Sequence, residues 1–248
     1  GVYHSWCCEA KGTVRSFFRL HNIPMDDIEW QVSKKDNSSL KENGLSLDIF
    51  NRVTWKQAGG FLKSRGLTEE DIERYNLLYG AHGRYQGTLV IPLYEGRKLV
   101  YFVARRIIQR GYLNPKTERS AIVPYFMGER DKFTVVLTEG AFDAISVNKL
   151  GYTSAVLLGT RITAHQITKL KKFGFDDVIV MLDGDARLKA VHVYYQCKER
   201  GITPRIVLLR KGEDPNSLYV TNPDRLEGLI QAASDLTAET RVKVVMAK

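Results

Sequence analysis

Between residues 131 and 209 the chain alternates short apolar runs with helix-length segments, and that rhythm leaves it few ways to fold. The runs TVVLT (134–138), SAVLL (154–158), DVIVML (177–182) and PRIVLL (204–209) are bounded by turn residues. Between them lie segments 141–150, 163–173 and 187–200, closed by Gly151, Gly174 and Gly201. A glycine just past a helix supplies the left-handed cap. Strands apolar throughout, separated by helices, predict a parallel sheet covered on both faces.

Upstream the pattern changes. Segment 55–65 reads as a helix stopped by Gly66, and Thr68 caps a second, TEEDIERYNL, with Asp71 three residues later and acids at its positive end. TLVIPLY and LVYFVAR flank the turn EGRK, which predicts a hairpin in a mixed or antiparallel sheet. Segment 32–45 is polar and reads as a linker or surface loop. The fold class is therefore α/β: an α+β N-terminal subdomain over 55–130, preceded by a linker (23–54), then a parallel-sheet subdomain over 131–220 and a C-terminal helical segment (221–248).

Ligands of open parallel sheets bind beyond the carboxyl ends of the strands. Glu139 and Gly140 follow one strand directly, and Asp183-Gly184-Asp185 follow another. In extended backbone, residues two apart point to one side, so Asp183 and Asp185 are expected to converge. Gly184 is expected to leave room for an ion or phosphate at the backbone. Three clustered carboxylates repel unless they protonate or share a cation, and magnesium takes a few carboxylates plus substrate phosphate oxygens. A lone aspartate at such a turn more often just caps the helix. Asp143, four residues after Glu139, reads equally as a supporting acid or as an N-terminal helix charge.

The 37 Lys and Arg outnumber the 28 Asp and Glu, for a net charge of +9. That excess suits a polyanionic partner. Arg84, Arg105, Arg106, Arg110, Lys116 and Arg119 could form a phosphate-tracking groove, with Tyr112 stacking on a base or simply packing. Cys7, Cys8 and Cys197 give no disulfide framework, no apolar run approaches membrane-spanning length, and no secretory signal opens the sequence. The reading is a cytoplasmic protein with no membrane partner.

Thr138-Glu139-Gly140-Ala141-Phe142-Asp143-Ala144, Leu158-Gly159-Thr160, Leu182-Asp183-Gly184-Asp185 and Lys211-Gly212-Glu213-Asp214-Pro215-Asn216 occur in order. Together they resemble the Toprim domain shared by topoisomerases, primases and some nucleases, and their spacing is most similar to bacterial and bacteriophage DNA primases. FLKSRGLTEEDIERYNLLYG, GTLVIPLYEGRKLVYFVARRI and GYLNPKTERS resemble the segments preceding that domain in primases, so the likeness spans about 55–220. It implies a nucleotidyltransferase that makes short RNA primers on single-stranded DNA by metal-ion phosphoryl transfer. It also implies magnesium or manganese on Glu139, Asp183 and Asp185, with Asp143 and Asp214 as accessory acids. Arg84, Arg105, Arg106, Asn114 and Lys116 would hold template or nucleotide; the partners would be single-stranded DNA, nucleoside triphosphates and a replicative helicase. A non-catalytic Toprim accessory protein that binds nucleic acid or nucleotide stays open, as does a Toprim nuclease. Segment 1–22 resembles part of a primase zinc ribbon, but Cys8 is its one matching ligand position, so zinc is not expected. Arg187 and Leu188 stand where the family usually has a small residue and glycine.

Overall fold

The computed structural model describes residues 2–4, 11–13, 45–131 and 133–237. The ribbon-like cysteines, Cys7 and Cys8, lie outside them, so the zinc reading does too. A short antiparallel pair, β1 (Val2–His4) and β2 (Lys11–Thr13), stands at the N-terminal end.

The first main layer is a four-stranded antiparallel sheet in the order β3 (Asn51–Arg52), β4 (Leu78–Gly80), β5 (Thr88–Glu95), β6 (Lys98–Arg106). Helices α1 (Trp55–Ser64) and α2 (Glu69–Arg74) join its first two strands. Thr54 and Thr68 cap them: Gln57 Oε1 accepts from the Thr54 N–H at 3.0 Å, and Asp71 Oδ2 from the Thr68 N–H at 2.8 Å. The β5 run is apolar throughout because both faces are covered. Leu89, Ile91 and Leu93 pack with Leu62, while Val90 packs with Leu45, Phe50 and Phe102 on the other side. The segment read as linker is thus built into this layer from Leu45 onward: Leu45, Phe50 and Val53 are buried, and β3 pairs with β4. Its few apolar residues, set among polar ones, were too sparse to register as an element.

The second layer is five-stranded, in the order β11 (Thr203–Ile206), β10 (Asp177–Val180), β8 (Thr134–Thr138), β9 (Ser154–Val156), β7 (Tyr125–Phe126). All pairings are parallel except that of β7 with β9. Helices α4 (Ala164–Lys172) and α5 (Arg187–Glu199) cover one face through Ile167, Leu170, Val193 and Tyr194. Helices α6 (Pro215–Thr221) and α7 (Pro223–Gln231) cover the other through Leu218, Leu226 and Ile230.

Helix α3 (Ala141–Lys149) lies between the two layers, and every residue but Lys149 is buried. Ala144 and Ile145 join the core of the antiparallel layer, whereas Val147 joins that of the parallel one. A helix with almost no exposed face needs such cover on all sides. Tyr75 donates to Asn148 Oδ1 at 2.9 Å, and Lys149 pairs with Asp71, so α3 also bolts α2 to the parallel layer. Among the described residues no helix is long and apolar enough to cross a membrane.

Candidate active site

Strand β8 leads by α3 to β9 on one side, and the chain then crosses back to β10 on the other side of β8. Adjacent parallel strands whose connections diverge open a crevice at their carboxyl ends. The register pairs Leu137 with Val180, which sets Glu139 and Asp183 just past the two edges of that crevice. Both line a cavity of about 230 Å³, together with Tyr112, Asn114 and Arg119 from the loop after β6.

The acids are electrostatically coupled. Burial, then the charges of Glu139, Asp214 and Asp185, lift the Asp183 pKa to about 7. Its Oδ1 is buried with no hydrogen-bond partner. Burial raises the Glu139 pKa, and Lys189 opposes the rise. Asp143 is held well above the usual carboxylate range by burial, then by Asp183 and Asp214, with the Asn216 and Gly140 amides pulling the other way. A buried acceptor without a donor, surrounded by further acids, fits a hard divalent cation. Among the described residues, no group of three or more His, Cys, Asp or Glu side chains is arranged so as to hold a metal ion by itself.

Local geometry departs from the extended-strand expectation at Asp183-Gly184-Asp185. The strand ends at Val180, and residues Gly184–Ala186 form a 3-10 turn that runs straight into α5. Asp185 is exposed on that turn and does not line the cavity. The turn is held from across the rim by the Gly184 N–H, which donates to Glu213 O at 2.7 Å, and from within by the Ala186 N–H, which donates to Asp183 O at 2.8 Å. Nor does Gly184 open space for a ligand. A Cβ there would lie 1.7 Å from Arg210 O, so the glycine is required by the 210–214 loop packed against it.

Asp143 stands at the start of α3 and ties it to α6. Its Oδ2 accepts from the Gly140 N–H at 3.2 Å, capping α3, and its Oδ1 from the Asn216 N–H at 3.1 Å, which fixes the start of α6. Asp214 caps α6 through Ser217 N–H at 2.6 Å. Asn216 is spent on structure: its side chain bonds Arg65 and Ser146 and ties α1 to α3.

The basic residues divide. Arg119 lines the cavity and donates to Leu158 O at 3.2 Å. Asn114 lines it too, and its Oδ1 accepts from the Ala104 N–H at 3.1 Å, pinning the loop to β6. Arg84 reaches Asn114 O at 3.3 Å. Arg105 lies 4.8 Å over the Tyr112 ring, which is half exposed. Arg106 bonds Gln109 at 2.9 Å within its own loop, and Lys116 is exposed; Arg84, Arg105, Arg106 and Lys116 all lie off the cavity lining. Lys189, which faces Glu139 electrostatically, stands four residues beyond Asp185, one helical turn on, outside every motif quoted above. Nothing in the sequence marks the left-handed backbone of Leu158 (φ 57°), a conformation costly for a branched residue, at the cavity wall.

Residues 136–219 match the family model described as Toprim-like. The chain is 24% identical to the DNA primase of Deinococcus radiodurans, over 77% of this chain and 44% of that protein. To the DNA primase of Clostridium acetobutylicum it is 25% identical, over 68% of this chain and 31% of that protein. A DNA primase domain from Pseudomonas aeruginosa shares the fold, with TM-score 0.60 and 20% identity over 77% of this chain and 75% of that one. The chain thus spans less than half the length of these two curated relatives.

Proposed function

We propose that this chain, which carries a Toprim core of the bacterial and phage primase type, is a DNA-dependent RNA polymerase making short primers on single-stranded DNA. The observation that carries the reading is Asp183: a partly buried acid with an unpartnered oxygen, in a cavity lined also by Glu139, Asn114 and Arg119. The reaction is attack of a primer 3′-hydroxyl on the α-phosphate of a nucleoside triphosphate, with pyrophosphate leaving.

The family suggests a divalent metal. Magnesium or manganese would be held by Glu139, Asp183 and Asp185, backed by Asp143 and Asp214, and would supply charge stabilisation at the phosphate and acidify the attacking hydroxyl. The chain's own residues do the rest. Partial burial of Asp183 and Glu139 reduces the solvent screening of charges placed there. Arg119 offers its guanidinium to a triphosphate across the cavity. Arg84, Arg105, Arg106, Asn114 and Lys116 track nucleotide or template phosphates, at a salt-dependent affinity. On this reading residues 131–220 are the catalytic half and 55–130 the template-holding half, with a replicative helicase as further partner.

The test is ribonucleotide incorporation on single-stranded DNA with added magnesium or manganese. Asp183→Ala with Asp185→Ala should lower it by at least about 100-fold, the scale of losing transition-state charge stabilisation. Full incorporation by that double variant ends the proposal. The exposed position of Asp185 and the lack, among the described residues, of a ready-made three-acid metal set favour a second reading, a non-catalytic module that binds nucleic acid or nucleotide. It would give salt-sensitive DNA binding with no turnover by the wild-type chain in the same assay.

A further inference from the structure

We infer that Arg225, on α7 beyond the residues that match the family model, is a positioning residue for the acidic centre and acts through Glu213. The inference rests on the metal-site reading of Glu139, Asp183 and Asp185.

The contacts form one continuous path. Arg225 grips Glu213 with both guanidinium arms, Nη1 to Oε1 at 2.8 Å and Nη2 to Oε2 at 3.1 Å. Such a two-pronged pair fixes orientation as well as separation. The same carboxylate accepts from the Arg210 N–H at 3.0 Å, and the Glu213 N–H returns a bond to Arg210 O at 3.0 Å, which closes the 210–213 turn. Glu213 then turns its carbonyl to the Gly184 N–H at 2.7 Å, while Arg210 O stands where a side chain on Gly184 would be. Gly184 joins Asp183 to Asp185. The turn that carries both aspartates is therefore seated on a loop whose shape the Arg225–Glu213 pair sets.

The pair itself is seated. Asn222 Oδ1 accepts from the Arg225 N–H at 3.0 Å and caps α7, and Leu226 beside it is fully buried. Both pair members are only partly exposed, at 33% and 21% of their side chains. Lysine could supply charge at this position but not the paired donors.

Binding of Mn²⁺ alone to the full chain, followed by electron paramagnetic resonance, reads the effect without catalysis. Residues that orient metal ligands typically change affinity by about 10–100-fold, so Arg225→Ala should weaken Mn²⁺ binding by about tenfold or more. Arg225→Lys should recover part of the loss. Leu226→Ala, which loosens α7 without touching the pair, should lower the melting temperature and leave Mn²⁺ affinity as in the wild type. Unchanged affinity in Arg225→Ala overturns the inference, as does a loss in Leu226→Ala as large as that in Arg225→Ala. A wild-type chain with no Mn²⁺ binding sensitive to Asp183→Asn instead defeats the metal-site reading, and the inference falls with it.

Discussion

Replacing Gly184 with alanine should unseat the aspartate turn while leaving both sheets intact. The added Cβ would fall 1.7 Å from Arg210 O and 2.5 Å from Arg210 C, where real contacts essentially never go below 3.0 Å. The φ of Gly184 lies outside the left-handed region, so the cost is contact alone. The 210–213 loop must withdraw, and the Gly184–Glu213 bond goes with it, at about 1 kcal/mol. Overpacking adds about 1–3 kcal/mol. The total is about 2–4 kcal/mol of folding stability, measurable as a shift in urea midpoint. Displacing the acids by an ångström or so should cost about 100-fold in ribonucleotide incorporation. Gly60→Ala is the matched control: nothing lies within 4 Å of its Cβ position on α1. It should be neutral, or stabilising by up to about 1 kcal/mol through helix propensity. A Gly184→Ala protein within about 0.5 kcal/mol of wild type, the range of ordinary surface changes, and with full incorporation would refute the reasoning.

Two more expectations follow from the charges. The Asp183 pKa is raised from 3.8 to about 7, so the fold favours its protonated form. Its contribution to stability is complete below the unfolded value and is lost as pH rises through about 7. In metal-free buffer, Asp183→Asn should therefore gain on the wild type from about pH 4 to 7, read from urea midpoints; parallel profiles would contradict the burial argument. Asp71→Ala removes both the α2 cap and the partner of Lys149, in a pair whose side chains are 6% and 12% exposed. Stranding a buried ammonium costs about 3–5 kcal/mol, and a loss under about 1 kcal/mol would show that the pair does not hold α2 to α3.

Much of the parallel layer was legible because its signals are local. TVVLT is a strand from end to end, and glycines follow the helices where the periodicity stops. The predicted runs overshoot the strands at Leu157-Leu158, Met181-Leu182 and 207–209, because burial of Leu157, Met181, Leu182, Val207 and Leu209 continues past the last strand residue. The crevice between Glu139 and Asp183 was legible in outline, since strand ends are where acids become useful. The set of Asp185 was not: it depends on a carbonyl from the 210–214 loop, a contact between segments far apart in the chain. Likewise Gly184 could be read from sequence as special, but not which neighbour made it so. Asn216 sat inside a site-like motif yet serves the junction of α1 with α3, because its bonding partners come from both.

The placement of α3 has a mechanical corollary. A helix gripped by one sheet above and another below acts as a keystone: neither layer can rotate about it without shearing the Tyr75–Asn148 and Lys149–Asp71 contacts together. The cleft is consequently no jaw. Any widening falls instead to the 107–121 loop, which carries the cavity-lining Tyr112, Asn114 and Arg119 on its tethers at Ala104 and Leu158.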